Sequence, residues 1–236
     1  MYNIKGWSEF SDVTIVEAAD VPSQPDTPLL SAYSSSEITL NFDLTSIDNK
    51  GSPITSYILE TDQGIADWIT VLTYPAEGAL THTLTDADDG ITEGVIYTYR
   101  FSAQNTVGTS LTSKTVSVSA IDEFSAPATL TKVGSLSSLT SIHVEWSAVT
   151  PAADPGGEVL GYRLRVSDVN NGVSWIDFDG QDFGLPLKRA HTIYGLVSGR
   201  DYQVSVAAIS VNGLGSWYDP AETFYACTAP SQAPAP

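Results

Sequence analysis

Apolar and polar residues alternate over short runs along most of the chain, and clusters of Gly, Pro, Asp and Asn separate these runs. Alternation with a period of two places successive side chains on opposite faces and predicts β-strands, and no stretch shows a convincing helical period. In the second half, strands are predicted in TLTKVGS, SIHVEWSA, VLGYRLRVSD, VSWIDF, RAHTIYG, DYQVSVAAIS and SWYDPAETFYACT. About seven short strands per hundred residues predict a sandwich of two sheets.

The hydrophobic pattern also repeats along the chain. The run YTYRFSAQNTVG from Tyr97 aligns with YQVSVAAISVNG from Tyr202 at an offset of 105, and GSPITSYILE from Gly51 aligns with GGEVLGYRLR from Gly156 at the same offset. A third pair, ITLNF from Ile38 and IHVEW from Ile142, aligns at 104. We therefore predict two copies of one domain, at residues 21–124 and 125–229.

The opening of the chain matches the end of the first copy. Asn3, Gly6, Ser8 and Ser11 align with Asn105, Gly108, Ser110 and Ser113 at an offset of 102 without gaps. Residues 1–20 are therefore predicted to be the last strand of a preceding copy, and residues 230–236 a linker to a further repeat, as in a segment of a longer array. The alternative is that Met1 is the true start and that this strand inserts into an incomplete sandwich of a neighbouring chain.

These motifs together resemble the fibronectin type III family, over essentially the whole chain. The resembling features are an inward aromatic residue on the second strand (Phe42, Trp146), the runs GSPITSY and GGEVLGY that lead into the third strand, and a tyrosine corner. The corner pairs an aliphatic residue with a tyrosine six positions later, as Ile91 with Tyr97 and Leu196 with Tyr202. The resemblance implies an all-β fold of two tandem seven-stranded, immunoglobulin-like sandwiches in which each phenol reaches back to the backbone of the preceding loop.

A different family is suggested by the run WSEFS near the start, which is close to the Trp-Ser-x-Trp-Ser box of cytokine receptors. Phe10 stands at the place of the second tryptophan, and no pairs of cysteines follow. The alignment with the end of the first copy therefore explains this run better.

Charge and composition exclude several classes of function. The 236 residues carry 10 basic and 28 acidic side chains, for a formal charge of -18, which repels nucleic acid and anionic membrane surfaces. No apolar run is long enough to cross a membrane. The one cysteine, Cys227, cannot form an intramolecular disulfide, and we predict that it is a small buried residue rather than an exposed thiol.

No constellation of residues supports catalysis, and we expect neither an enzyme nor a cofactor. The weak candidate for a cation site is the loop TDADDG, where Asp86, Asp88 and Asp89 crowd three carboxylates together, although a solvated acidic turn is the favoured interpretation. His82 and His191 occupy equivalent strands and are predicted to lie on the outer surface, and His143 alternates with inward residues.

The architecture favours a spacer or scaffold segment of a large repeat protein at a cell surface or in an extracellular filament, acting in cell adhesion. Its expected partners are other protein chains or neighbouring repeats, with strand addition from residues 3–19 as one route. Linkers that contain proline predict a stiff rod to which each domain adds on the order of 35 Å. The alternatives are an accessory module of a secreted carbohydrate-active enzyme, with Trp68 and Trp175 as the sugar-binding candidates, and a cytoplasmic muscle-like or ciliary scaffold.

Overall fold

The protein is described by a computed structural model that covers residues 2–14, 18–62, 67–76, 81–150, 157–171, 175–179 and 187–227. The strands are β1 (Tyr2–Asn3), β2 (Gly6–Trp7), β3 (Leu29–Tyr33), β4 (Glu37–Asn41), β5 (Ile54–Thr61), β6 (Ile69–Pro75), β7 (Thr81–Thr85), β8 (Ile96–Asn105), β9 (Val116–Ser119), β10 (Leu130–Lys132), β11 (Ser141–Trp146), β12 (Gly161–Asp168), β13 (Trp175–Asp179), β14 (Ala190–Tyr194), β15 (Asp201–Ser210), β16 (Gly213–Leu214) and β17 (Glu222–Tyr225). One helical turn, α1 (Asp86–Asp89), and two short 3-10 turns, Gly134–Leu136 and Val169–Asn171, complete the described elements.

The first sandwich consists of a three-stranded sheet in the order β3-β4-β7 and a four-stranded sheet in the order β6-β5-β8-β9. Every pairing within these sheets is antiparallel. The inward residues of the two sheets meet in one core, in which Ile38, Leu40 and Tyr99 are almost fully buried. Alternation along β4 and β8 builds this core because every second side chain points to the same side of a strand.

The second sandwich has the same arrangement. Its sheets follow the orders β10-β11-β14 and β13-β12-β15-β16, with β17 also paired to β15. The central pairs are equivalent in the two sandwiches, since Tyr57 lies opposite Ala103 and Tyr162 lies opposite Ala208, at the offset of 105 found in the sequence. The molecule is therefore an all-β protein with two sandwiches of one topology, which confirms the predicted fold class.

The predicted inward face of β11 is observed. Ile142 and Val144 are fully buried, and Trp146 is 8% exposed, in a core that also includes Tyr162 and Val206. Burying an aliphatic or aromatic side chain from water contributes about 1.5–3 kcal/mol, so this face is a main source of the stability of the second sandwich.

The last strand of the second sandwich differs from the prediction. The sequence predicts one strand through SWYDPAETFYACT, whereas the structure has the short β16 before this run and β17 within it, both paired with β15. Pro220 lies between them and has no backbone N–H to donate to a neighbouring strand, so the ladder is interrupted at this point.

Candidate functional site

The two sandwiches meet without a free linker. Ala120, directly after β9, is fully buried in the core of the first sandwich, while Ile121 and Phe124 are buried in the core of the second. The chain therefore passes from one hydrophobic core into the other within a single peptide bond. The predicted domain boundary after residue 124 stays a prediction, but the packing places Ile121 and Phe124 with the second sandwich.

Two glycines of the second sandwich give this connecting segment the space that it occupies. A Cβ atom on Gly157 would lie 2.9 Å from Cγ2 of Ile121, and one on Gly215 would lie 2.5 Å from the carbonyl oxygen of Phe124. Gly157 also has a φ of +73°, a conformation that side-chain-bearing residues rarely adopt. The second sandwich is thus shaped to receive residues 121–124.

Hydrogen bonds hold the same segment from both sides. The backbone N–H of Ser216 donates to the carbonyl oxygen of Phe124 at 2.8 Å, and the Ser216 hydroxyl donates to Oε1 of Glu123 at 3.0 Å. From the first sandwich, the backbone N–H of Ser35 donates to Oδ1 of Asp122 at 3.0 Å. We call residues Tyr33, Ser35, Ser119–Phe124, Gly157, Asn212, Gly215 and Ser216 the joint.

Tyr33, the last residue of β3 in the first sandwich, completes the joint. Its ring packs against the core of the second sandwich, although the residue belongs to the first. Burial raises the pKa of the Tyr33 phenol, and the nearby carboxylate of Glu123 raises it further. Both sandwiches and the connecting segment therefore contribute to one continuous contact.

The segment that enters the first sandwich is docked in a similar way. The backbone N–H of Asp20 donates to the carbonyl oxygen of Lys50 at 3.0 Å, and Nδ2 of Asn105 donates to the carbonyl oxygen of Asp20 at 2.7 Å. Pro22 and Pro25 of this segment are buried. Each sandwich thus binds the segment that precedes it at the same end.

The two tyrosines of the predicted corner occupy equivalent positions. Tyr97 and Tyr202 are 6% and 5% exposed, and each phenol oxygen accepts a hydrogen bond of 2.8 Å, from the backbone N–H of Thr92 and of Val197 respectively. The phenol is the acceptor in both contacts. Ile91 is buried and Leu196 packs against its core, so each aliphatic residue covers the loop that the tyrosine binds.

The predicted core aromatics, Phe42 and Trp146, lie at equivalent places in the two sandwiches. Phe42 packs edge-on against Phe101 with ring centres 5.1 Å apart, and Trp146 packs edge-on against Tyr162 at 5.8 Å. Next to Phe42 there is a cavity of about 10 Å³, lined by apolar and aromatic side chains, which is at the lower limit for one water molecule.

The prediction that His82 and His191 lie on the outer surface is wrong. His82 is paired with the buried Leu40 and His191 with the buried Val144, so both face inward and are half-buried. Their rings pack against aromatic neighbours, with ring centres 5.5 Å apart for Tyr74 and His82. A shift of one residue exchanges the two faces of a strand, so alternation alone does not fix the side on which these histidines lie. Burial lowers the pKa of His191, and the charges of Lys188 and His143 lower it further.

The acidic run forms the helical turn α1 rather than an open loop. Thr85 caps this turn by accepting a hydrogen bond from the backbone N–H of Asp88, and its own N–H donates to Oδ2 of Asp89 at 3.0 Å. Asp86, the third candidate, lies in the first turn of α1 with Asp88 and Asp89. Within the part of the chain that the structure describes, no three His, Cys, Asp or Glu side chains come together in a way that could hold a metal ion.

Cys227 is exposed, which contradicts the prediction that it is buried. Ala226 is fully buried at the adjacent position, so alternation turns Cys227 outward.

Of the two tryptophans proposed for sugar binding, Trp68 has its ring face covered by the guanidinium of Arg100, 3.8 Å from the ring centre. The side chain of Trp175 lies outside the described residues.

The first residues of the chain form a small hairpin, with β1 paired to β2. Asn3 Oδ1 accepts from the N–H of Lys5 at 2.8 Å, as Asn105 Oδ1 accepts from the N–H of Val107 at 2.9 Å, so the aligned residues make the same turn. Trp7, Phe10 and Val13 are exposed. This segment therefore presents apolar side chains to solvent.

Sequence reasoning did not identify the residues of the joint. Asn212, Asp122 and Glu123 belong to turns and to a connecting segment, where no periodic pattern exists to assign a direction to a side chain. The signal that could have pointed to them is the short distance along the chain, since only Ala120 lies between the end of β9 and the apolar Ile121.

None of the helices in the described ranges is long and apolar enough to cross a membrane.

In a comparison with known protein families, residues 125–224 match the model described as fibronectin type III domain. Among curated proteins, the chain is 26% identical over 202 residues to a putative receptor-type tyrosine-protein phosphatase, mosPTP-1, of Aedes aegypti, and 26% identical over 193 residues to the cell adhesion molecule Dscam1 of Drosophila melanogaster. It is 27% identical over 219 residues to fibronectin type-III domain-containing protein 3a of Gallus gallus. These matches cover 83%, 78% and 91% of this chain but only 15%, 9% and 16% of those proteins.

Two solved structures are also similar. The FN1–FN3 domains of chicken CNTN1 match with a TM-score of 0.48 and 17% identity, over 89% of this chain and 69% of that one. A segment of two fibronectin type III domains from chicken tenascin matches with a TM-score of 0.37 and 16% identity, over 85% of this chain and 98% of that one.

Proposed function

Because the chain consists of fibronectin type III domains in tandem, we propose that it is a non-catalytic spacer and protein-interaction segment of a longer multi-repeat protein. What such a segment supplies is a fixed distance and a fixed direction between the parts of the protein on either side.

The observation that carries this proposal is the direct passage from Ala120 to Ile121. Because these adjacent residues are buried in different cores, no flexible linker is present that would let the two sandwiches rotate independently. Relative motion of neighbouring domains is the usual expectation unless the interface is extensive, and here both sandwiches and the connecting segment take part in it. A stiff connection transmits position and force, as a spacer requires.

Placement at a cell surface or in an extracellular filament is supported by the kind of protein that the chain is similar to. Two of the three curated relatives are, by their names, a receptor-type phosphatase and a cell adhesion molecule. The strongly acidic composition also disfavours nucleic acid as a partner. Antibody staining of intact cells against permeabilised cells tests this placement, since an extracellular segment is stained without permeabilisation.

We further propose that the segment 3–19 engages another protein chain or a neighbouring repeat by adding a strand to an exposed sheet edge. Trp7, Phe10 and Val13 are exposed. Ser110 and Ser113 of the first sandwich, which align with Ser8 and Ser11, are buried and accept hydrogen bonds from backbone N–H groups of β8. Light scattering of the full chain and of a variant without residues 2–14 tests this route. Association that depends on these residues is expected, and a monomer in both cases at high concentration would argue against it.

Small-angle X-ray scattering tests the spacer function directly. Two sandwiches placed end to end, each adding on the order of 35 Å, predict a particle of about 70 Å in maximum dimension. The Asn41→Ala variant, changed at an exposed position of β4, should give the same curve. A compact particle with the sandwiches side by side, or a broad distribution of distances between them, would refute the proposal.

A further inference from the structure

Asn212 lies at the tip of the hairpin that joins β15 to β16, on the side that faces the first sandwich. The turn is fixed from within, because the Ser210 hydroxyl oxygen accepts from the backbone N–H of Asn212 at 3.2 Å and the Ser210 hydroxyl donates to the carbonyl oxygen of Gly213 at 3.2 Å. Ser210 is itself buried. The carboxamide of Asn212 is therefore presented by a supported hairpin and not by a loose loop.

This carboxamide binds both backbone groups of one residue in the other sandwich. The N–H of Ser119 donates to Oδ1 of Asn212 at 2.8 Å, and Nδ2 of Asn212 donates to the carbonyl oxygen of Ser119 at 2.8 Å. Ser119 ends β9, which lies at the edge of its sheet. The pair of bonds reproduces the exchange between two residues of an antiparallel ladder, with a side-chain amide in the place of a second strand.

The side chain of Ser119 takes no part in this contact. Its hydroxyl is buried and has no hydrogen-bond partner among the described residues, and the whole residue is 1% exposed. Since every residue except proline offers the same N–H and C=O groups, the contact is independent of which side chain stands at this position.

We propose that Asn212 is a positioning residue that reads the backbone at the end of the preceding sandwich and thereby sets the angle between the two sandwiches. The surface around it fits one kind of partner, the last strand of a preceding domain of the same fold. The inference deepens the proposed spacer function and rests on it, since a set angle matters for a segment that fixes direction.

The residue at this position differs between the copies. At the equivalent position of the first sandwich stands Val107, whose side chain offers neither a donor nor an acceptor, and the aligned residue at the start of the chain is Lys5. The carboxamide is also specific among polar groups. An aspartate at position 212 could accept from the Ser119 N–H, but its second oxygen would face the Ser119 carbonyl oxygen and repel it.

The experiment measures backbone residual dipolar couplings of the full chain, which report the orientation of each sandwich separately. In the wild type, one alignment tensor should fit both sandwiches. In Asn212→Ala and Asn212→Asp, the two sandwiches should require different tensors, and hydrogen exchange of the Ser119 amide should accelerate at least about tenfold while the amides between β8 and β9 stay protected. Ser119→Ala and Asn41→Ala should behave as the wild type.

Failure of the positioning role of Asn212 and failure of the spacer function give different results. If Asn212→Ala keeps one tensor and a protected Ser119 amide, or if Ser119→Ala disturbs the angle as much as Asn212→Ala does, the positioning role is wrong. If Asn212→Ala unfolds the second sandwich, as judged by loss of amide dispersion, the residue serves folding and the inference is also wrong. If the wild type itself requires two tensors, it is the proposed spacer function that fails.

Discussion

At the scale of the residue, each sandwich relies on one tyrosine that binds a strand to the loop before it. Tyr97 and Tyr202 receive a backbone N–H on a buried phenol oxygen, so the loop has a partner for a group that would otherwise be cut off from water. Leaving a buried donor without a partner costs more than the net gain from making the bond. Removing the phenol oxygen, although it is a single atom, is therefore expected to lower the free energy of unfolding measurably.

Replacing Tyr202 by phenylalanine tests this directly. Tyr202→Phe removes the acceptor of the Val197 N–H and keeps the ring, so the free energy of unfolding of the second sandwich should fall by about 1–3 kcal/mol. Urea unfolding followed by tryptophan fluorescence measures the change. The matched control is Tyr194→Phe on β14, where the tyrosine is 76% exposed and little change is expected. Equal effects of the two substitutions would speak against the role of the corner.

His191 predicts how the second sandwich responds to acid. Its pKa is lowered in the folded state, chiefly by burial, so the unfolded chain binds a proton more readily than the folded chain. The folded state therefore keeps its full stability above the pKa of the unfolded histidine, near 6.5, and loses stability as the pH falls from there towards the lower folded pKa. His191→Gln should lose less stability than the wild type between pH 7.5 and 5.5, as measured by urea unfolding. An identical loss in both proteins would mean that His191 does not titrate as described.

The residues that the sequence placed well are those in regular strands. Phe42 and Trp146 repeat at an offset of 104, and Tyr97 and Tyr202 repeat at 105, so the repeat together with period-two alternation predicts their positions. Cys227 and the inward histidines were misplaced for a physical reason. At the end of a strand, or in a strand with few strongly apolar residues, a shift of one position exchanges the two faces, and only packing decides between them.

At the scale of the element, the connection between the sandwiches depends on a close approach of backbone to backbone. Gly215 is buried, and its backbone lies against the carbonyl group of Phe124, while Gly157 leaves room for the side chain of Ile121. The sequence predicts stiff linkers because they contain proline, which restricts the backbone angle φ. In the joint, the stiffness comes instead from burial of residues 121 and 124 and from the hydrogen bonds of the connecting segment.

Gly215→Ala tests this account of the joint. The added methyl group would come within 2.5 Å of the Phe124 carbonyl oxygen, so the connecting segment must shift. We expect a loss of about 1–3 kcal/mol in the stability of the second sandwich, as is usual for overpacking a filled site, measured by thermal or urea unfolding. The control is Gly134→Ala, where no atom lies within 4 Å of the added Cβ and φ is not positive. A stable Gly215→Ala protein with unchanged amide shifts at residues 121–124 would be inconsistent with this packing.

At the scale of the whole molecule, the repeat in the sequence predicted the two sandwiches and their strand order, but not the contact between them. Period-two alternation specifies which side chains enter a core, whereas the direction in which one sandwich follows another is set by a few polar atoms in turns, such as the carboxamide of Asn212. Such atoms have no periodicity, so their partners are visible only in the folded chain. The chain spans between 9% and 16% of the length of the curated relatives named above.

We expect the two sandwiches to move as one body in solution. The most direct measurement is ¹⁵N relaxation of the full chain in solution, which gives the rotational diffusion of each sandwich from its own strand amides. We predict that a single diffusion tensor, of the size of the whole chain, fits the amides of both sandwiches. Two separate tensors, each with the faster tumbling of a domain of about one hundred residues, would contradict the account.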